Sequence, residues 1–65
     1  MKILLNGAWR DTGVVDLAAA LQEFGYADAV VATALNGEFI PAGSRSATRL
    51  TDGDRIEILA PMQGG

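Results

Sequence analysis

The sequence predicts an α+β fold, a mixed sheet of about five strands with one helix packed across one face. Three observations carry this expectation. Asn-Gly occurs at Asn6-Gly7 and again at Asn36-Gly37, each between short apolar runs. It is the strongest short hairpin signal, because both turn positions tolerate positive φ. Between the two hairpins one stretch switches to helical spacing, and near the end Arg55-Ile56-Glu57-Ile58-Leu59 alternates with the period of a strand.

The elements follow in order. Ile3-Leu4-Leu5 begins the first strand and Ala8-Trp9-Arg10-Asp11 returns from the turn. A two-residue loop would set Leu5 opposite Ala8 and Leu4 opposite Trp9. A three-residue loop with Gly7 in a bulge would set Leu5 opposite Trp9. The second is favoured, since it sends Trp9 into the core and Arg10 into water. Thr12-Gly13 breaks the strand. Val14, Leu17, Leu21 and Phe24 then mark one face of a helix, with Ala18, Ala19 and Ala20 adding helix propensity. Asp16 falls in the first turn, where it complements the helix dipole, and Gly25 suits the residue after the C-cap. Val30 to Leu35 reads as a third strand and Glu38-Phe39-Ile40 as its return, closed by Pro41. Ala42 to Leu50 is a polar excursion with room for one helical turn. Asp52-Gly53-Asp54 is a tight turn, and the last strand points Ile56 and Ile58 inward. Hairpin, helix, hairpin and strand close most simply if the last strand pairs in parallel with the first. That is a roll of the β-grasp, ubiquitin-like shape. Residues 1–60 are expected to form this domain and 61–65 a flexible tail.

Composition narrows the function. The 65 residues contain no Cys and no His, which removes disulfides, Cys/His zinc sites, thiol nucleophiles and His-based triads. Net charge is -3, so the electrostatic footprint of a nucleic-acid binder is missing. No apolar run approaches the roughly 18 residues that span a bilayer, and the run after Met1-Lys2 is too short for a signal peptide. A cytoplasmic location is expected. A deep private pocket is hard to build in so small a domain, which favours a binding module or partner subunit over a stand-alone enzyme.

Gly64-Gly65 is the most informative feature. Two residues without Cβ followed by an α-carboxylate can thread a channel too narrow for side chains. A free carboxylate is a poor acyl donor, because its leaving group would be oxide. Attack on the α-phosphate of ATP converts it to an acyl-adenylate whose leaving group is AMP, and a sulfur nucleophile can then displace AMP to give a thiocarboxylate. This chain supplies only the carboxylate; the adenylating chemistry belongs to a partner.

The segments Ile3-Leu4-Leu5-Asn6-Gly7, Asn36-Gly37-Glu38-Phe39-Ile40-Pro41 and Asp52 through Gly65 together resemble the ubiquitin-like sulfur carriers of thiamine thiazole biosynthesis. The third segment is the most specific and the first the least. The resemblance implies a C-terminal thiocarboxylate at Gly65, an ATP-dependent adenylating (E1-like) enzyme, a sulfur donor such as a cysteine desulfurase, and delivery to thiazole synthase. It implies no cofactor held by this chain, with ATP used by the partner. The chain departs from the pattern at one place: such carriers commonly have an Arg directly after the Pro that follows the fourth strand, whereas here Ala42-Gly43 intervenes and the nearest Arg is Arg45.

Partner contact is expected from Gly64, Gln63 and Met62 on the tail. It is also expected from Leu59 and Leu4, which alternation places on the outer sheet face beside Arg55 and Glu57. Phe39 joins them if Ile40 faces the core. Asp52 and Asp54 are better explained by a turn than by a carboxylate pair. Arg45 and Arg49 read as solvated loop charges, and no phosphate-cradling loop is present. Three other functions remain open. The small subunit of molybdopterin synthase shares the fold and the tail. A non-carrier interaction module would tolerate loss of Gly65, and a protein-conjugated modifier would leave isopeptide adducts.

Overall fold

Each Asn-Gly dipeptide closes a two-residue turn with positive φ at both positions: 47° at Asn6 and 83° at Gly7, 51° at Asn36 and 84° at Gly37. These are the mirror-image turns whose twist matches that of paired strands. The computed structural model describes residues 1–60. The first turn joins β1 (Lys2–Leu5) to β2 (Ala8–Asp11), and the second joins β3 (Ala32–Leu35) to β4 (Glu38–Ile40). Between the hairpins lies α1 (Leu17–Glu23); after them come a 3-10 helix (Ala42–Ala47) and β5 (Arg55–Leu59). The described residues form a five-stranded sheet in the order β2-β1-β5-β3-β4. β1 and β5 are parallel, as expected, and the other neighbours are antiparallel.

One face of this sheet is covered. Ile3, Leu5, Ile56 and Ile58 project from β1 and β5 and pack with Leu17, Ala20 and Leu21 of α1 and with Leu50. Asp16 caps the helix: its side chain accepts from the Ala19 N–H at 2.8 Å. At the other end Gly25 (φ 90°) donates to the Gln22 carbonyl and Tyr26 to the Leu21 carbonyl, a Schellman closure.

Four expectations need correction. Trp9 is not in the core. The two-residue turn sets Leu4 against Trp9, which turns the indole to the outer face with 62% of its surface exposed. Arg10 takes the inner side of this edge strand instead and lies over the Phe24 ring, 5.7 Å from its centroid. The helix starts at Leu17 and not at Val14, because Val15 and Leu17 are bonded to Leu50 and Thr48 in an extended bridge, and Asp16 serves as N-cap rather than first-turn residue. β3 starts at Ala32, opposite the last residue of β5, so Val30 lies outside the ladder and is 82% exposed. Arg45 is not a solvated loop charge. Its Nε donates to Thr33 Oγ1 at 3.0 Å and a terminal nitrogen to the Val31 carbonyl at 2.7 Å, tying the 3-10 helix to the head of β3.

Candidate functional site

The tail expected to carry the chemistry continues from β5, and β5 is the central strand of the sheet. Gly65, Gly64, Gln63 and Met62 lie outside the described residues, so the geometry on view is that of their base. β5 is held on both sides. Toward β3, Leu59 pairs with Ala32 and Glu57 with Ala34. Toward β1, backbone pairing reaches only Ile56, because β1 turns away at Asn6. The Asn6 side chain carries the ladder one step further: its Oδ1 accepts from the Ile58 N–H at 2.8 Å and its Nδ2 donates to the Ile58 carbonyl at 3.2 Å. The amide stands where the next peptide unit of β1 would have been.

Asn36 does the same at the start of the strand. Its Oδ1 accepts from the Arg55 N–H at 2.9 Å and its Nδ2 donates to Asp54 at 3.0 Å. The Asp54 carboxylate also accepts from the Thr51 N–H and hydroxyl. Burial works to raise this carboxyl, but the bonds from Thr51 and Asn36 outweigh it and hold it below its usual 3.8. Asp52 accepts from the Lys2 N–H. Both aspartates are thus turn residues, as expected. Among the described residues no group of His, Cys, Asp or Glu is placed to hold a metal ion.

The outer face brings together most of the expected contact residues. Leu4, Arg55, Glu57 and Leu59 line one shallow groove with Asn6 and Gly7. Leu59 is 68% exposed and Leu4 half-buried. Arg55 and Glu57 form an ion pair at 3.7 Å between them; both ends are solvated, so it adds little stability. The apolar surface is therefore two anchors with a charge pair between them rather than one patch. Phe39 shares this face: it pairs with Ala34, which pairs with Glu57, while Ile40 packs against the core. Two apolar side chains were missed. Trp9 stands beside Leu4, and Val30 lines a second groove with Val31, Ala32, Leu59 and Ala60 at the base of the tail. The two-residue turn implicit in Asn6-Gly7 would have revealed the first.

A family model described as the ThiS family matches residues 3–65. The chain belongs to the ThiS family. A crystal structure of a thiamine biosynthesis protein (ThiS) from Geobacter metallireducens superposes with a TM-score of 0.85 at 32% identity, covering all of both chains. A thiazole synthase from Paramagnetospirillum magneticum (strain ATCC 700264 / AMB-1) is 35% identical over 66 residues, which is all of this chain and 20% of that protein. The chain thus spans a fifth of the length of this curated relative. It is a ThiS-type sulfur carrier with the β-grasp fold. Among the described residues no helix is long and apolar enough to cross a membrane.

Proposed function

We propose that this ThiS-family chain carries sulfur for thiamine thiazole synthesis as a thiocarboxylate on Gly65. The observation that carries the reading is that the family match runs through residue 65 and so takes in Gly64-Gly65. The names of the two relatives favour thiamine over molybdopterin as the destination. A carboxylate oxygen of Gly65 attacks the α-phosphorus of ATP on an adenylating enzyme, and pyrophosphate leaves. Sulfide, released from the persulfide of a cysteine desulfurase by a thiol reductant that is oxidised to its disulfide, or supplied by an equivalent donor, then attacks the carbonyl carbon. The C–O bond to AMP breaks, one proton is released, and the thiocarboxylate remains for thiazole synthase to consume. The chain is a co-substrate in these steps, and ATP is bound by the partner. Gly64 keeps the approach slim, residues 61–65 form the arm, and Leu59, Leu4 and Phe39 present the docking face. The steps belong in the cytoplasm, where ATP is available.

The test is the intact mass of the chain after incubation with ATP, sulfide and the adenylating enzyme. The expected result is a gain equal to sulfur minus oxygen, located at Gly65 by fragmentation and abolished by deleting Gly65. A chain that stays unmodified under these conditions would refute the reading.

A further inference from the structure

The docking face proposed above ends at Leu4, yet the outer face continues to an exposed tryptophan. Trp9 sits on the edge strand β2 in register with Leu4, and Leu4 is in register with Arg55. Beside the indole is a groove lined by Lys2, Asp52 and Gly53, and Gly53 offers no side chain to cover the ring. An indole exposed over 62% of its surface on a folded sheet is the kind of residue that dominates binding when a partner covers it. Its position suits one interface with the base of the tail. Trp9 lies two strands from β5 and four residues from the level of Leu59, about 16 Å away by strand spacing and rise. A standard interface of about 800 Å² per partner is about 30 Å across, so both anchors fit within one.

We infer that Trp9 adds a further docking anchor at the Leu4 edge of that face, and that its occupant is thiazole synthase. This rests on the carrier reading above. The choice of occupant follows from the Paramagnetospirillum thiazole synthase, in which a match to this entire chain occupies only 20% of the protein. A stretch similar to this chain is there part of one polypeptide named as a synthase, which makes the synthase the occupant to test. Sharing a chain raises the effective concentration of its parts, and a face kept for that partner can work through a few apolar anchors.

Trp9 is the single tryptophan of the sequence. A chain labelled with 5-fluorotryptophan therefore gives one fluorine resonance, which reports this site alone. Titration with the thiazole synthase of the same cell should shift and broaden that resonance to saturation. Trp9→Ser should weaken the affinity by about tenfold or more, with an unchanged circular dichroism spectrum. The inference is overturned if the synthase binds while the resonance stays put, if Trp9→Ser binds equally well, or if no binding occurs. It is equally overturned if the resonance moves only with the adenylating enzyme, or only when the chain is concentrated alone. The same preparation is carried through the Gly65 mass assay. A thiocarboxylate with a silent Trp9 leaves the carrier reading intact and removes only this inference. Absence of the thiocarboxylate removes the reading itself.

Discussion

Replacing Asn6 by Gly isolates what its side chain does. Glycine keeps the turn, since φ at this position is 47° and glycine adopts it freely. The bonds to the Ile58 N–H and carbonyl are lost. Each such bond is worth about 0.5–1.5 kcal/mol net, so the pair contributes about 1–3 kcal/mol. The glycine's extra unfolded-state entropy costs about 0.5–1 kcal/mol, and relief of left-handed strain at a residue with a Cβ returns a similar amount. The two nearly cancel, leaving a loss of about 2 kcal/mol. In a domain of this size 1 kcal/mol moves the melting temperature by about 4–8 °C, so Asn6→Gly should melt about 10 °C below the parent by calorimetry. Amide exchange at Ile58 should accelerate more than at Ile56, whose carbonyl is bonded to the Asn6 backbone N–H and not to its side chain. A variant melting within about 2 °C of the parent, with Ile58 still protected, would show that the amide does not extend the ladder and that the reasoning is wrong.

Three further outcomes are expected. Asp54→Asn should flatten the acid limb of the stability curve. The folded carboxyl lies below its usual 3.8, so its contribution is complete above that value and disappears as pH falls through the folded value; parallel loss of stability in both proteins during acid titration would contradict this. Arg45→Met should destabilise by about 1–3 kcal/mol in urea, because Thr33 Oγ1 and the Val31 carbonyl each lose a charged donor; an unchanged midpoint would show that the tie is idle. Asp16→Ala should cost about 1 kcal/mol through loss of the helix cap to Ala19, read as a lower melting temperature with the sheet signals intact.

Where local chemistry decides the structure, the sequence was sufficient. Asn-Gly specified both hairpins, strict alternation placed Ile56 and Ile58 inward and Leu59 outward, and Gly25 closed the helix as its position implied. The errors arose where two signals competed. Hydrophobicity argued that Trp9 should be buried, but the turn sets register, and a one-residue shift of register reverses every side chain of a strand. Val14 continues the helical spacing, yet its segment is held extended by pairing with residues far along the chain. Other features leave no mark in sequence. Arg45 reaches Val31 and Thr33 only because the 3-10 helix returns over the head of β3. The asparagines were accounted for by their backbone angles, although their side chains also bind β5. Leu4, Leu59 and Phe39 were legible as one face from alternation; Trp9 and Val30 were not, because their exposure depends on register and on where pairing stops.

These details matter because the reactive end of a carrier is useful only if its base is fixed. Ala60 directly follows Leu59, the last paired residue of the central strand. One residue earlier, Ile58 is held by Asn6 on the side where β1 has already turned away. The course of the chain at Leu59 and Ala60 is thereby set relative to Leu4, Trp9 and Phe39 on the outer face. A five-residue arm extends at most about 3.3–3.6 Å per residue, a reach of at most about 18 Å beyond Ala60. A partner that grips the outer face must therefore hold its reacting atom inside that radius. On the proposed function, binding energy from anchors that never touch the carboxylate would be converted into proximity at Gly65. The same constraint separates tail from face in experiment. On the proposed function, shortening the arm should spare binding and impair thiocarboxylate formation, read by intact mass, whereas altering the face should weaken binding and leave the reaction intact at saturating partner.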